Sequence, residues 1–184
     1  MRDLIVTENI TLDGVIEATE GWFDPAGGED DVSDVEAALR KQREAADALL
    51  LGRVTFEQMR GYWPLQTDDT TGITDYLNDV TKYVLSTTLQ DPGWEPTTIL
   101  RDLSDVRALQ DRPGRLGVTG SISIAQQLVD ADLIDEYRLF IYPVLVGDGP
   151  GIFAGDDRRG LDLVEATSFP SGVTLLRYNR RSSV

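Results

Sequence analysis

The stretch GVTGSISIAQQLVDADLIDEYRLFIYPVLV, residues 117–146, decides the fold. It continues an apolar strand, Leu116-Gly117-Val118-Thr119, turns at Gly120, and enters a helix from about Ser121 to Ala131. Tyr137 to Val146 then reads as another strand, aromatic and β-branched, with Pro143 predicting an edge or a bulge there. The same sequence of apolar strand, glycine and helix start occurs earlier, in Leu49-Leu50-Leu51-Gly52-Arg53-Val54-Thr55-Phe56-Glu57. The unbroken apolar run Ala48 to Leu51 marks a strand buried on both faces.

Outward from these two segments, further elements follow. Leu4 to Thr7 reads as a short buried strand, and Asn9 to Gly28, rich in glycine and acid, as a long loop. Asp31 to Ala46 is predicted helical, with Val32, Val35, Leu39 and Ala46 near one face and Ser33 and Glu36 at capping-box spacing. Ile73 to Asn78 adds a helical turn and Leu103 to Asp111 a helix, while Tyr83 to Ser86 and Thr98 to Leu100 are strands. The Gly147-Asp148-Gly149-Pro150-Gly151 segment reads as a turn, and Leu161 to Ala166 and Gly172 to Tyr178 close the chain as two strands with no helix between. Strands alternating with helices and then strands alone predict an α/β fold. Its central sheet is mostly parallel, with antiparallel C-terminal strands and helices on both faces. We expect one domain over residues 1–184, with a ligand at the carboxyl ends of the strands where their order reverses.

Composition narrows the chemistry. The 184 residues include no cysteine and no histidine, which removes disulfides, thiolate or imidazole metal sites, a cysteine nucleophile and Ser-His-Asp catalysis. No metal is expected. A formal charge of −15, from 32 acidic and 17 basic residues, argues against nucleic acid or an anionic membrane as partner. The N-terminal apolar run is too short for a signal peptide, and nothing approaches a membrane span, so a cytoplasmic location is expected.

The segments that follow Gly52 and Gly120 are the candidate binding elements. A helix N-terminus offers free N–H groups and a positive dipole end, which together favour phosphate, and a preceding glycine allows close approach. The same glycines would also serve simple strand-to-helix turns. Arg53, beside Thr55, suits an additional phosphate or a surface carboxylate, and Ser86, Thr87 and Thr88 offer hydroxyls from the neighbouring strand end. With no histidine, the candidate acids are Asp13, Asp31, Glu36 and Glu57, and Trp22, Tyr62 and Trp63 suit a flat ring.

Together, TLDGVIE (11–17), LLLGRVTFEQM (49–59), YWP (62–64), KYVLSTTL (82–89), residues 117–153 and GVTLLRY (172–178) resemble the dihydrofolate reductase-like family, specifically the C-terminal reductase domain of bacterial riboflavin biosynthesis proteins. The resemblance implies an NADPH-dependent reductase that passes hydride to a small, flat, pterin- or pyrimidine-like substrate. It implies that Gly52, Arg53, Val54 and Thr55 meet the cofactor phosphates, with Ser86 and Thr87 near the 2′-phosphate. By the same resemblance Gly120, Ser121, Ile122 and Ser123 cradle the pyrophosphate, and Asp13 and Gly14 lie in a loop over the nicotinamide. Glu36 is the nearest match to the family's catalytic acid. Thr87 stands where relatives often carry arginine, and Gly120 stands alone where members commonly have two or three glycines. The alternatives are a non-catalytic NADPH- or nucleotide-binding module, or an oligomeric protein with a decayed site. A homodimer is expected, with Tyr137 to Val146 as an apolar edge.

Overall fold

The strands are β1 (Arg2–Thr11), β2 (Ala48–Gly52), β3 (Thr81–Leu85), β4 (Thr97–Leu100), β5 (Gly114–Val118), β6 (Glu136–Tyr142), β7 (Leu161–Ser168) and β8 (Thr174–Arg180). Between them run α1 (Ser33–Glu44), α2 (Arg53–Tyr62), α3 (Ile73–Asp79), α4 (Leu103–Gln110) and α5 (Ile122–Asp130), with a 3-10 turn at Trp63–Leu65. The computed structural model of the protein describes residues 1–17, 22, 33–153 and 158–181, so Asp31, Val32 and most of the 9–28 segment beyond Glu17 lie outside the described residues.

The strands form one sheet in the order β4-β3-β2-β5-β1-β6-β8-β7. β1 pairs parallel with β5 and β6, and β2, β3 and β4 extend the parallel part, whereas β8 runs antiparallel to β6 and to β7. The chain places β5 on one side of β1 and β6 on the other. The order therefore reverses at β1, and a crevice opens at the carboxyl ends of β1 and β5.

Side-chain alternation on β2 gives the sheet two buried faces. Leu50 joins the core with Val106 and Leu109 of α4 and Leu128 of α5, while Leu49 and Leu51 pack with Phe56 of α2 and Leu77 of α3. A third cluster joins Val35 of α1 to Phe140 and Tyr142 of β6 and Leu175 of β8. The buried Arg138 of β6 reinforces that junction by donating to Gln42 of α1 at 3.2 Å and to Glu136 at 2.8 Å. Helices thus cover both faces of a mostly parallel sheet with an antiparallel C-terminal end.

Two expectations require correction. β1 extends to Thr11, lengthening the predicted Leu4–Thr7 strand and taking Asn9 to Thr11 out of the predicted loop. Tyr137 to Val146 is neither an edge nor bulged: β6 stops at Tyr142, is paired on both sides by β1 and β8, and leaves Pro143 just beyond its end. A dimer through its edge is therefore ruled out. The sheet's edges are β4 and β7, and its register break falls between Leu163 and Glu165 of β7. No helix of the described residues is long and apolar enough to cross a membrane.

Phe140 is fully buried and stacks on Phe169 with ring centroids 6.3 Å apart, beneath α1. Phe140→Ala is expected to cost about 3–5 kcal/mol, read as a lower urea midpoint at unchanged slope. A loss under about 1 kcal/mol would show that α1 does not depend on this contact.

Candidate active site

Two helix N-termini meet at the carboxyl edge of β2 and β5. The Gly52 N–H donates to Ser121 Oγ at 2.7 Å, tying the start of α2 to the start of α5. Gly52 is required there by contact: a β-carbon would lie 2.9 Å from Ile124 Cγ1 and 3.0 Å from Ser121 Oγ. Gly120 is favoured by conformation, with φ +61, and Ser121 holds the same left-handed region at φ 62 with a side chain in place. Thr55 closes against the same turn, since a β-carbon on Gly120 would sit 3.2 Å from Thr55 Cγ2.

Neither helix has a side-chain cap. α4 shows the contrast: Asp102 accepts from the Ser104 and Asp105 N–H groups, and Asp105 completes a capping box. The first-turn N–H groups of α2 and α5, those of Arg53, Val54, Ile122 and Ser123 among them, have no carbonyl partner within their helices and point out from one edge of the sheet. Such an arrangement can bind an anion with two phosphate groups.

The remaining expected residues fall into place less uniformly. Arg53 pairs with Glu57 one turn on, at 2.6 Å, on an exposed helix face. Ser86 Oγ accepts from the Leu89 N–H at 3.0 Å and the Thr88 N–H at 3.2 Å, folding the strand end into a tight turn with Thr87 exposed at its tip. Arg101, absent from the sequence reading, donates to the Ser86 and Leu89 carbonyls at 2.9 Å each and brings a second cation to that turn. Asp13 accepts from the Thr11 hydroxyl and from the Gly147 and Val146 N–H groups at 2.7 and 3.1 Å, and the Thr11 bond first, then that of Gly147, hold its carboxyl below the usual carboxylate range. The Asp13-Gly14 loop is thereby docked on the Gly147–Gly151 turn, where Val15 bridges to Gly151.

Beside the helix ends a cavity of about 620 Å³ lies between α1, the sheet and the α2–α3 region. Its lining includes Trp22, Trp63, Met59, Leu39 and Tyr142, which suits a flat apolar ring, and also the exposed Glu36 on α1 and Gly120 at the helix ends. Tyr62, by contrast, is exposed and stacks edge-on against Trp63 outside it. Sequence reasoning missed three other lining residues. Glu8, Asn9 and Tyr76 each bury a polar atom (Oε1, Oδ1 and the hydroxyl oxygen) that has no hydrogen-bond partner among the described residues.

Glu8 is the most unusual of these. It is only 5% exposed in the middle of the sheet, and its carboxyl's one hydrogen bond among the described residues is accepted by Oε2 from the Gly120 N–H at 3.3 Å. Burial pushes its carboxyl from 4.5 to about 8, and the Gly120 N–H opposes this more weakly. The folded chain therefore keeps a proton that the unfolded chain releases, so stability falls as pH rises from about 4.5 toward 8. At pH 7 this amounts to on the order of 3 kcal/mol. Glu8→Gln keeps the shape without the titration. Its thermal midpoint is expected to exceed that of the unaltered protein at about pH 8 and to match it near pH 4. A variant less stable at both values would show that the carboxyl does not carry this penalty.

Residues 2–175 match the family model described as the RibD C-terminal domain. The chain is 28% identical over 183 residues to the uncharacterized protein YyaP of Bacillus subtilis, covering 97% of this chain and 95% of that protein. Among solved structures, a riboflavin biosynthesis protein from Shewanella sp. PV-4 superposes with a TM-score of 0.72 at 22% identity, covering 98% of this chain and 99% of the other. A pyrimidine reductase-like protein from Corynebacterium diphtheriae gives 0.69 at 16%, covering 99% and 93%. RibD from Acinetobacter baumannii gives 0.64 at 15%, covering 98% of this chain and 58% of RibD, and these three likenesses share its fold. With nearly its whole length matched, the chain belongs to the RibD C-terminal domain family.

Proposed function

We propose that this protein is an NADPH-dependent oxidoreductase that transfers hydride to a small, flat, pterin- or pyrimidine-like substrate. The observation that carries the reading is the pair of uncapped helix ends joined by the Gly52–Ser121 hydrogen bond, opening beside a ring-sized cavity. Family membership supports the reductase chemistry. The nicotinamide would supply the hydride.

The chain's own residues bind, orient and exclude water. Gly52, Arg53, Val54 and Thr55 face one phosphate and Gly120, Ser121, Ile122 and Ser123 the pyrophosphate. Arg53 leaves its exposed Glu57 partner for the 2′-phosphate, because a surface ion pair contributes little and a bidentate phosphate contact contributes more. Ser86, Thr87 and Arg101 flank that phosphate. The Asp13-Gly14 loop closes over the nicotinamide end, and Glu36, on the cavity wall, delivers the proton directly or through water. A second reading, a nucleotide-binding module without turnover, draws on the exposure of Glu36 to solvent.

Titrating NADPH and NADH separately, followed by quenching of Trp22 and Trp63 in the cavity wall, tests the cofactor. NADPH is expected to bind at least ten times more tightly than NADH, about 1.4 kcal/mol, and Arg53→Ala is expected to erase the difference. Failure of both dinucleotides to bind would end the reductase reading. With a pterin or pyrimidine acceptor, Glu36→Gln is expected to lose turnover at unchanged NADPH affinity. No turnover by either form, with binding retained, would favour the module.

A further inference from the structure

The turn that starts α5 carries a feature that phosphate binding alone does not require: a buried carboxyl aimed into it from β1. Glu8 Oε2 accepts from the Gly120 N–H at 3.3 Å, and Oε1 has no hydrogen-bond partner among the described residues. Gly120 N–H is one of the donors that an anion at this helix end would recruit. An ionised Glu8 would occupy that donor and set a negative charge against the incoming phosphate. A neutral Glu8 accepts from that N–H only weakly, at 3.3 Å, and sets no negative charge against the phosphate.

We propose that Glu8 is a proton-linked part of the anion site at Gly120: the site takes a dinucleotide phosphate while Glu8 is a neutral carboxylic acid, and ionisation of Glu8 expels it. This rests on the cofactor reading above. It adds that a group within the sheet, contributing nothing to the rim of the site, sets the pH range over which the cofactor is held.

The surroundings of Glu8 isolate its titration. Its register partner on β6 is Leu139, and Val118 precedes the Gly120 turn on the other flank. Charged groups on the packed elements are Arg2 and Asp3 of β1, Arg115 of β5, Glu136 and Arg138 of β6, Asp105 and Arg107 of α4, and Asp130 of α5. Glu17 follows the docked loop, and Glu36, Arg40 and Arg43 stand on α1 across the cavity. None of them contributes to the displacement of Glu8, which comes from burial opposed by the Gly120 N–H and stands at about 8. The transition therefore belongs to one carboxyl.

NADPH affinity of the full chain and of Glu8→Gln, measured from about pH 7 to pH 9, tests the proposal. The unaltered protein is expected to lose about tenfold in affinity over that range, the linkage limit for a group near 8 that must stay protonated. Glu8→Gln is expected to show no such loss. In parallel, carbon-13 NMR of glutamate-labelled, ligand-free protein reads the Glu8 carboxyl directly and does not depend on the variant folding. A carboxyl titrating in the ordinary range overturns the proposal. So does an equal pH dependence in both proteins, and in that case NADPH still binds and the reductase reading stands. Absence of NADPH binding at every pH overturns both.

Discussion

The hydrogen bond from the Gly52 N–H to Ser121 Oγ is the contact on which the candidate site depends. α2 and α5 pack on opposite faces of the sheet, against Leu51 and Leu50 respectively, and their ends touch where Thr55 lies against Gly120 and Ile124 against Gly52. The parallel pairing of β2 with β5, in register from Ala48 and Leu116, brings the two ends together, and the Ser121 hydroxyl then locks them. The left-handed backbone of Gly120 and Ser121 is what turns that hydroxyl back toward β2.

The N-termini of α2, α4 and α5 divide into two kinds. α4 satisfies its first turn with Asp102 and Asp105, a stabilising arrangement typical of a helix with no ligand to meet. α2 and α5 forgo that stabilisation, of about 1 kcal/mol per cap, where the chain could have supplied it with a single aspartate. A protein with 32 acidic residues does not lack candidates. The uncapped ends sit on neighbouring strands at the crevice where the strand order reverses, so the forgone stability coincides with the place where a ligand has most to gain from free N–H groups.

Most of the fold was legible because the deciding signals were local. The apolar run at Ala48 to Leu51 and the glycines at 52 and 120 specify strand, turn and helix without knowledge of neighbours, and the structure places those elements within a residue or two. The candidate site was legible where it is built from backbone at those turns, and not where it depends on tertiary burial. Glu8 occupies an inward position in the series Leu4, Val6, Glu8, Ile10, but a charge there interrupts the apolar alternation and makes the strand end too early. Pro143 misled for the opposite reason. A proline three residues before the end of a predicted strand signals an edge, whereas here it lies one residue past the end of an interior strand and needs no pairing N–H. Arg101 reaches the Ser86 turn only because β3 and β4 are adjacent, which no spacing along the chain reveals.

A chain of net charge −15 would bind the proposed polyanion against its own field. Most of that charge lies on solvated surface, and at physiological ionic strength its influence decays over about 8 Å, so the rim carboxylates act weakly on a phosphate held at a helix end. Inside the sheet there is no such screening. One carboxylate at Glu8, 3.3 Å from the Gly120 N–H and cut off from water, would act on that phosphate more strongly than many exposed ones. Local geometry thus decides anion affinity where overall charge does not. The residue with most leverage over the proposed cofactor is one that the folded chain holds in its uncharged form at neutral pH.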